Sequence, residues 1–261
     1  MKKLAVASLV IVLVAVVVGL KASHYYGLAE PQPVYACQHQ SADTLRLAFI
    51  GDSWAFMHQP YDNTLAERIS SQVGRPVAVS SYGLCGKTSK EVYLSLFSDA
   101  SLRRLVSKGP HYCLVSVGIN DSYKKMSAHY YVHHTLLIVR FLLENGITPI
   151  LMELPHYDIA QAYERQTMSR KLLRRLSMTV TGSPLDCLSA YRKALCDALS
   201  EAQLSSQVVI LPAIPADWTL WQPDRMHLNK KGYARLDACI ATIIADAQDN
   251  PTSSSAGRES Q

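Results

Sequence analysis

The chain has 261 residues, enough for one large domain; 48% of them are hydrophobic and 18% are charged, as expected of a protein with a sizeable core. The net charge of +5 is modest, and the basic residues are scattered without a dense Lys/Arg run, which argues against a nucleic-acid partner. None of the six cysteines forms a C-x-x-C pair, so a structural zinc site is not expected.

The first 21 residues have the pattern of a membrane anchor. Lys2 and Lys3 precede an uncharged apolar run, Leu4–Leu20, and Lys21 follows it. The run is at the short end of the roughly 17–25 residues that span a bilayer. A cleaved export signal is the alternative, but no A-x-A-like site follows the run. We therefore expect residues 1–21 to be a transmembrane anchor, with the rest of the chain extracytoplasmic, at the cell surface or in the periplasm, or secreted if the segment is cleaved.

The remaining chain divides into three parts by composition. Residues 22–43 contain prolines without periodicity and indicate a tether. Residues 44–248 carry alternating apolar patterns and form the predicted domain. Residues 249–261 are polar and Ser-rich, which is typical of a disordered tail.

The cysteines permit disulfides in an exported domain without requiring them. Cys187 and Cys196 are the first pair to test, because they flank a predicted helix start. Cys113 lies in an apolar strand, where it is expected to pack as a small hydrophobic residue.

The domain alternates short apolar runs with longer helical patterns. The short runs are rich in Val, Ile and Leu, as in parallel strands buried on both faces: Leu45–Ile50, Val77–Ser80, Tyr112–Val117, Thr148–Glu153 and Val208–Leu211. The helical patterns cover Thr64–Val73, Ser127–Asn145, Pro184–Ala202 and Lys230–Ala247. This alternation predicts an α/β fold, a three-layer α/β/α sandwich around a mostly parallel five-stranded sheet. Ligands bind such sheets at the carboxyl ends of the strands.

Two glycine-containing motifs follow the first two strands. Gly51-Asp52-Ser53-Trp54 places a serine hydroxyl at the carboxyl end of the first strand, although Asp and Ser there could also cap a helix. Gly83, in the sequence Tyr82-Gly83-Leu84-Cys85-Gly86, allows a backbone N–H to approach a ligand oxygen, but an ordinary turn would need it too.

Two further motifs follow later strands. Asn120, in Gly118-Ile119-Asn120-Asp121, could donate a hydrogen bond to an oxyanion or make a local Asx turn, while Asp121 could cap the next segment. Asp224 and His227, in Asp224-Arg225-Met226-His227, supply a carboxylate and an imidazole from one turn. An imidazole can remove a serine proton at neutral pH, and a carboxylate can fix its tautomer. The alternative is a capping Asp beside an incidental surface His.

Together and in this order, the four motifs resemble the four blocks of the SGNH (GDSL-type) hydrolase family over about Leu45 to Ala247. The resemblance implies a flavodoxin-like fold, Ser53 as nucleophile, and Asp224 and His227 as the acid–base pair. It also implies an oxyanion hole made by the backbone N–H groups of Ser53 and Gly83 with the Asn120 side chain. Trp54 stands where the commonest first block has leucine, and we expect it to alter the lip of the pocket.

The resemblance implies ester hydrolysis without a metal or organic cofactor, while leaving the substrate open. An exported, tethered domain favours a carbohydrate O-acetyl esterase of the cell envelope. The alternatives are a lysophospholipase or other lipid esterase, which the lack of a long apolar lid disfavours, and an O-acetyltransferase with the same triad. A non-catalytic binding module and a structural envelope protein are disfavoured because all the site residues are present. The oligomeric state is left open.

Three other residues could have had roles of their own. His129 and His133 lie four residues apart on a helix and could share a metal, but a solvated helix face is the stronger interpretation. Glu153 ends a strand and either lines the substrate pocket or shapes a turn.

Overall fold

The computed structural model describes residues 22–156 and 167–249, together with Val12, Val16 and Gly19. Five strands form one sheet: β1 (Leu45–Gly51), β2 (Val77–Gly83), β3 (Tyr112–Ser116), β4 (Thr148–Met152) and β5 (Val209–Leu211). The strand order is β2-β1-β3-β4-β5, and every pairing is parallel. The predicted central sheet is confirmed, and it is fully parallel.

Nine helices lie entirely within the described residues. They are α1 (Ser53–His58), α2 (Asp62–Val73), α3 (Ser89–Ser98), α4 (Ala100–Ser107), α5 (Ile119–Tyr123), α6 (Ala128–Glu144), α7 (Met168–Thr181), α8 (Leu188–Glu201) and α9 (Lys230–Asp249). Short 3-10 turns cover Gln59–Tyr61 and Trp218–Leu220.

The helices cover both faces of the sheet, as a parallel sheet requires. Helices α2 and α9 pack together, while α6 packs against α3 and α8. The central strands are buried along their length: all five residues of β3 are buried, as are six of the seven residues of β1. Between the layers lies one core of Leu, Ile, Val and aromatic side chains.

The register brings the ends of three strands to one place. Gly51 at the end of β1 pairs with Gly83 on one side and with Ser116 on the other. Each of the first three motifs therefore follows or ends a strand at the same edge of the sheet, which is where parallel sheets bind ligands.

Residues 22–43 differ from the expected tether because they contact the domain. Residues 22–26 are helical, and the Lys90 ammonium donates to the carbonyl oxygens of His24 (2.6 Å) and Gly27 (2.8 Å). Ala29 is buried, and its backbone N–H donates to His134 Nε2 at 3.0 Å. Proline-rich composition predicted irregular backbone here, but it could not show where that backbone lies.

The predicted anchor, residues 1–21, falls mostly outside the described residues, and of the predicted tail only Asp249 is described. Val12, Val16 and Gly19 are helical, and both valines are exposed. Within the described part of the chain, no helix combines the length and apolar composition needed to cross a membrane.

All six cysteines lie in the described residues, and all are free thiols. Cys187 is buried before α8 while Cys196 is exposed within it, so the pair that the sequence singled out does not form a disulfide. The Cys187 thiol instead lies 3.3 Å from the hydroxyl oxygen of Ser122. Cys113 is buried in β3 among apolar side chains, and burial raises the pKa of its thiol.

Candidate active site

Ser53 lies in a sharp turn between β1 and α1. Gly51 has φ = 146°, and a Cβ there would meet the backbone oxygen of Ser116 at 2.1 Å, so only glycine fits. Asp52 caps α1 by accepting from the Trp54 backbone N–H at 3.0 Å. Ser53 is thus the first helical residue, half-buried beyond the carboxyl end of β1.

Ser53, His227 and Asp224 form one hydrogen-bonded chain. The Ser53 hydroxyl oxygen lies 2.8 Å from His227 Nε2, and His227 Nδ1 lies 2.7 Å from Asp224 Oδ2. A carboxylate accepts only, so Nδ1 carries the proton and Nε2 is left to accept from the serine. Ser53 and Asp224 are 171 positions apart in sequence. With His227 between them, the three side chains have the geometry of a nucleophile, a base and its orienting acid.

The carboxylate of Asp224 is fixed by the backbone of the turn to which it belongs, Asp224 to His227. Asp224 Oδ1 accepts from the backbone N–H groups of Met226 (2.9 Å) and His227 (3.0 Å). Partial burial acts to raise the pKa of Asp224, but the hydrogen bonds from the His227 ring and from these two N–H groups outweigh it and lower the pKa. Asp224 is consequently ionised at neutral pH, as an orienting acid must be.

Gly83 and Asn120 lie on either side of the Ser53 turn. Gly83 ends β2, where a Cβ would come within 2.0 Å of the Phe56 backbone nitrogen and 2.3 Å of the Asp52 carbonyl oxygen. Asn120 is the second residue of α5 and is half-buried. The structure therefore brings both predicted oxyanion-hole residues to the turn that carries the nucleophile.

Asp52 connects the nucleophile turn to Asn120, a role that the sequence did not reveal. Its Oδ2 accepts from Asn120 Nδ2 at 3.4 Å, and its Oδ1 accepts from the Ser116 hydroxyl at 3.3 Å. Burial raises the pKa of this carboxyl to about 6, although the hydrogen bonds from Trp54 and Ser116 oppose the shift. Its position beside Ser53 at a helix start indicated only a cap.

Trp54 joins the nucleophile turn to the loop that carries the base. Its indole N–H donates to the Met226 carbonyl oxygen at 3.2 Å, and its ring packs edge-on against Trp221 at 5.6 Å between centroids. The Tyr233 hydroxyl donates to the Trp54 carbonyl oxygen at 3.1 Å. Trp54 is 2% exposed, so the expectation that it alters the pocket lip was wrong: it is buried and links the turn that carries Ser53 to the loop that carries His227.

The remaining candidates have structural partners. Asp121 is buried and accepts from the Ser89 backbone N–H (2.8 Å) and hydroxyl (2.5 Å), so it holds the start of α3. Glu153 accepts from the Ala213 backbone N–H at 3.1 Å and shapes a turn, while also lining a cavity of about 230 Å³ under α8. His133 Nε2 lies 2.8 Å from the Ala29 carbonyl oxygen, and the His129 ring centroid is 6.2 Å from that of His133.

No protein-family model matches the sequence, and no curated protein is significantly similar to it. Solved structures do match. A lipase/acylhydrolase from Enterococcus faecalis superposes with a TM-score of 0.54 and 16% identity over 77% of this chain and 96% of that one. A psychrotrophic esterase from Pseudoalteromonas gives 0.53 and 15% over 78% and 99%. A GDSL-like lipase from Bacteroides thetaiotaomicron gives 0.51 and 14% over 77% and 88%.

The chain has the fold of these ester hydrolases. The predicted α/β architecture, a five-stranded sheet between helical layers, is therefore confirmed. At such low identities the similarity concerns the fold alone. The evidence for the chemistry is the geometry of Ser53, His227 and Asp224.

Proposed function

We propose that this protein is a serine ester hydrolase of the SGNH type that works through an acyl-enzyme. The observation that carries the proposal is the unbroken chain of hydrogen bonds from the Ser53 hydroxyl through His227 to Asp224, at 2.8 and 2.7 Å. Serine is a poor nucleophile unless a base is within hydrogen-bond reach, and here the base is in reach and oriented.

In the first half-reaction His227 Nε2 takes the Ser53 proton while Ser53 Oγ bonds to the ester carbonyl carbon. The tetrahedral intermediate collapses when the carbon–oxygen bond to the alcohol breaks, and His227 returns its proton to that alcohol. In the second half-reaction His227 deprotonates a water molecule, which attacks the acyl carbon. The bond from that carbon to Ser53 Oγ then breaks, His227 returns its proton to Oγ, and the acid is released. Asp224 stabilises the imidazolium in both halves.

The negatively charged oxygen of each tetrahedral intermediate needs hydrogen-bond donors to stabilise it. The backbone N–H groups of Ser53 and Gly83 and the amide of Asn120 are the donors in this proposal. Ser53 is also the first residue of α1, where backbone N–H groups are not used within the helix. Each such donor is worth about 2.7–4 kcal/mol in the transition state.

For the substrate we propose an O-acetylated carbohydrate. Two features of the surface around the loop that carries His227 support this. The Asp224 side chain is 48% exposed, so the base loop borders solvent and leaves room for a large leaving group. Trp218 is 41% exposed in the 3-10 turn before that loop, and the Arg225 guanidinium lies 4.6 Å from its ring centroid. An aromatic ring can pack on the apolar face of a sugar while a guanidinium donates to its hydroxyls.

We further propose that residues 1–21 anchor the domain to a membrane and that it acts outside the cytoplasm. The support is the sequence, with Lys2 and Lys3 before an apolar run and Lys21 after it. Lipid esters are the second candidate substrate class, because α7 exposes a row of large apolar side chains.

The test is ester hydrolysis by the full chain in mild detergent, since residues 22–43 contact the domain. p-Nitrophenyl acetate, butyrate and octanoate are compared for the parent and for Ser53→Ala, with Ser95→Ala on α3 as the matched serine control. We expect acetate to be the best substrate, Ser95→Ala to be active, and Ser53→Ala to be inactive. Acetylated polysaccharide is then assayed for released acetate, with and without a sugar acceptor.

Each other outcome points elsewhere. Preference for octanoate would replace the glycan proposal with a lipid esterase. Acetyl transfer to the sugar without release of acetate would make the protein an O-acetyltransferase. No turnover above Ser53→Ala by a folded chain on any ester or acceptor would leave a binding module and overturn the enzymatic proposal.

A further inference from the structure

Helix α7 turns its apolar side to solvent. Its exposed large side chains are 55–79% accessible and lie at helical spacing: Met168, Leu172, Leu173, Leu176 and Val180. At 3.6 residues per turn these five positions fall within an arc of about 140°. Surface helices of globular domains normally bury such a stripe, so α7 is inverted relative to its neighbours.

The opposite side of α7 is polar and attaches the helix to the domain. The buried Arg174 guanidinium lies 4.3 Å from the ring centroid of Tyr123 at the end of α5. The Thr181 hydroxyl donates to the Lys125 carbonyl oxygen at 2.7 Å. The orientation of α7 is therefore fixed by polar contacts, and its apolar stripe is presented outward by the fold.

Basic residues lie on α7 beside its apolar stripe. Arg170, Lys171 and Arg175 lie outside the apolar arc, and α7 contains no Asp or Glu. A strongly amphipathic helix with a Leu-rich face and a Lys/Arg-rich polar face is the pattern of helices that lie in the headgroup region of a bilayer. Anionic headgroups also complement the positive charge.

The N-terminal segment places α7 near the proposed anchor. The Tyr26 hydroxyl lies 2.7 Å from the Ser177 hydroxyl oxygen of α7, and Lys90 holds the end of the 22–26 helix through two carbonyl oxygens. The apolar run Leu4–Leu20 ends six residues before Tyr26. The helical residues 22–26 cover about 6 Å of that separation at 1.5 Å per residue, comparable with the depth of the headgroup region.

We propose that α7 is a membrane-contacting helix, whose Leu172, Leu173 and Leu176 enter the outer surface of an anionic bilayer while the basic residues contact lipid phosphates. This contact is additional to the N-terminal anchor and fixes the orientation of the domain on the membrane. It rests on the proposed membrane location and not on the proposed chemistry. The charge of α7 and its contact with the segment that follows the apolar run favour lipid over a second copy of the chain or the segment 157–166.

The experiment uses the full chain in vesicles of phosphatidylethanolamine and phosphatidylglycerol with acyl chains brominated near the headgroups. Leu176→Trp reports on α7, and Glu67→Trp on α2 is the matched exposed control on the opposite layer. Fluorescence is taken as the difference from the parent chain, and flotation records vesicle binding. We expect brominated lipid to quench the Leu176→Trp difference signal roughly by half and to leave Glu67→Trp unchanged.

Four results would overturn the proposal. A vesicle-bound chain without quenching at residue 176 would remove the α7 contact while leaving the anchor. Equal quenching at residues 176 and 67 would show no preferred orientation. Emission at residue 176 that is already blue-shifted without vesicles, and not quenched in them, would mean that protein covers the stripe. A chain that does not float with vesicles would contradict both the anchor and the α7 contact, whatever its esterase activity.

Discussion

Two side chains of this site, those of His227 and Asn120, are hydrogen-bonded to carboxylates that are fixed by further hydrogen bonds. His227 is oriented by Asp224, whose other oxygen accepts from two backbone N–H groups of the same turn. Asn120 is likewise linked to Asp52, whose other oxygen caps the nucleophile helix. Activity should therefore depend on the orienting carboxylates as well as on the residues that touch the substrate.

Asp224→Asn should keep the turn but lose the orienting charge. The amide can still accept from Met226, but it no longer stabilises the imidazolium, so kcat should fall by about 10²–10⁴-fold. Steady-state hydrolysis of p-nitrophenyl acetate measures this, with Asp217→Asn as a control because Asp217 caps the neighbouring 3-10 turn. A kcat within two-fold of the parent would contradict the role given to Asp224.

Asn120→Ala removes the proposed side-chain donor to the oxyanion. We expect kcat to fall about 10²–10³-fold with little change in KM, because this hydrogen bond strengthens only in the transition state. The comparison is made on p-nitrophenyl acetate, and Asn63→Ala on α2 serves as the control. A loss confined to KM would mean that Asn120 binds the ground state instead.

Asp52→Asn tests whether Asn120 is positioned by a carboxylate. The new amide can still cap α1, but an unfavourable donor–donor contact with Asn120 becomes available, so we expect a loss of kcat of about 10- to 100-fold. The same substitution in the Asn120→Ala background should cost much less, because the two residues act through one hydrogen bond. Additive losses would show that Asp52 acts on the nucleophile turn alone.

At the scale of elements, the strands could be predicted from sequence far better than the helices between them. The buried strands are nearly continuous apolar runs, and their predicted starts agree with the structure to within one residue. Helix α3 was not predicted, although Thr88-x-x-Glu91 is a capping-box pattern and both of its hydrogen bonds are present. Helix α7 was also not predicted, and its large apolar side chains face solvent instead of the core.

The start of α3 provides a test of stability against pH. Partial burial acts to raise the pKa of Glu91, but hydrogen bonds from Thr88, Lys87 and Lys124 outweigh it and lower the pKa to about 2. Because this folded-state pKa lies below the ordinary value, the stabilisation is present above about pH 4.5 and is lost as the pH falls toward 2. The carboxylate should therefore stabilise the fold fully above about pH 4.5 and progressively less below it.

Glu91→Gln should accordingly lower the Tm at pH 7 by about 2–4 °C. The difference in Tm between parent and variant should become smaller as the pH approaches about 2. Thermal unfolding followed by circular dichroism at several pH values measures both, with Glu201→Gln at the exposed end of α8 as control. A difference in Tm that does not depend on pH would assign the effect of Glu91 to packing.

At the scale of the whole molecule, residues 22–43 behave as part of the domain because a buried lysine binds them. Lys90→Met keeps the aliphatic volume but leaves the carbonyl oxygens of His24 and Gly27 without their ammonium donor. We expect faster hydrogen exchange over residues 22–40 and unchanged exchange in β1 and β3, measured by mass spectrometry. Lys87→Met, on the exposed side of the same turn, is the control; equal exchange in both variants would contradict the account.

The site itself was predictable because its motifs follow strands of a parallel sheet, whose carboxyl ends must meet at one edge. All five predicted site residues, Ser53, Gly83, Asn120, Asp224 and His227, are placed at or beside that edge. What could not be predicted were the supporting contacts of Asp52 and Trp54, because no sequence motif marks the partners that they contact. Such contacts depend on the packing of the layers, which has no local pattern in sequence.

The central claim, that Ser53 is an activated nucleophile, is tested most directly by covalent labelling. A p-nitrophenyl alkylphosphonate is added to the full chain, and the modified peptide is located by mass spectrometry. We predict stoichiometric phosphonylation of Ser53 that is lost in His227→Ala, because the serine is reactive only when the imidazole takes its proton. No adduct on the folded chain, or an adduct on a different serine, would contradict the account.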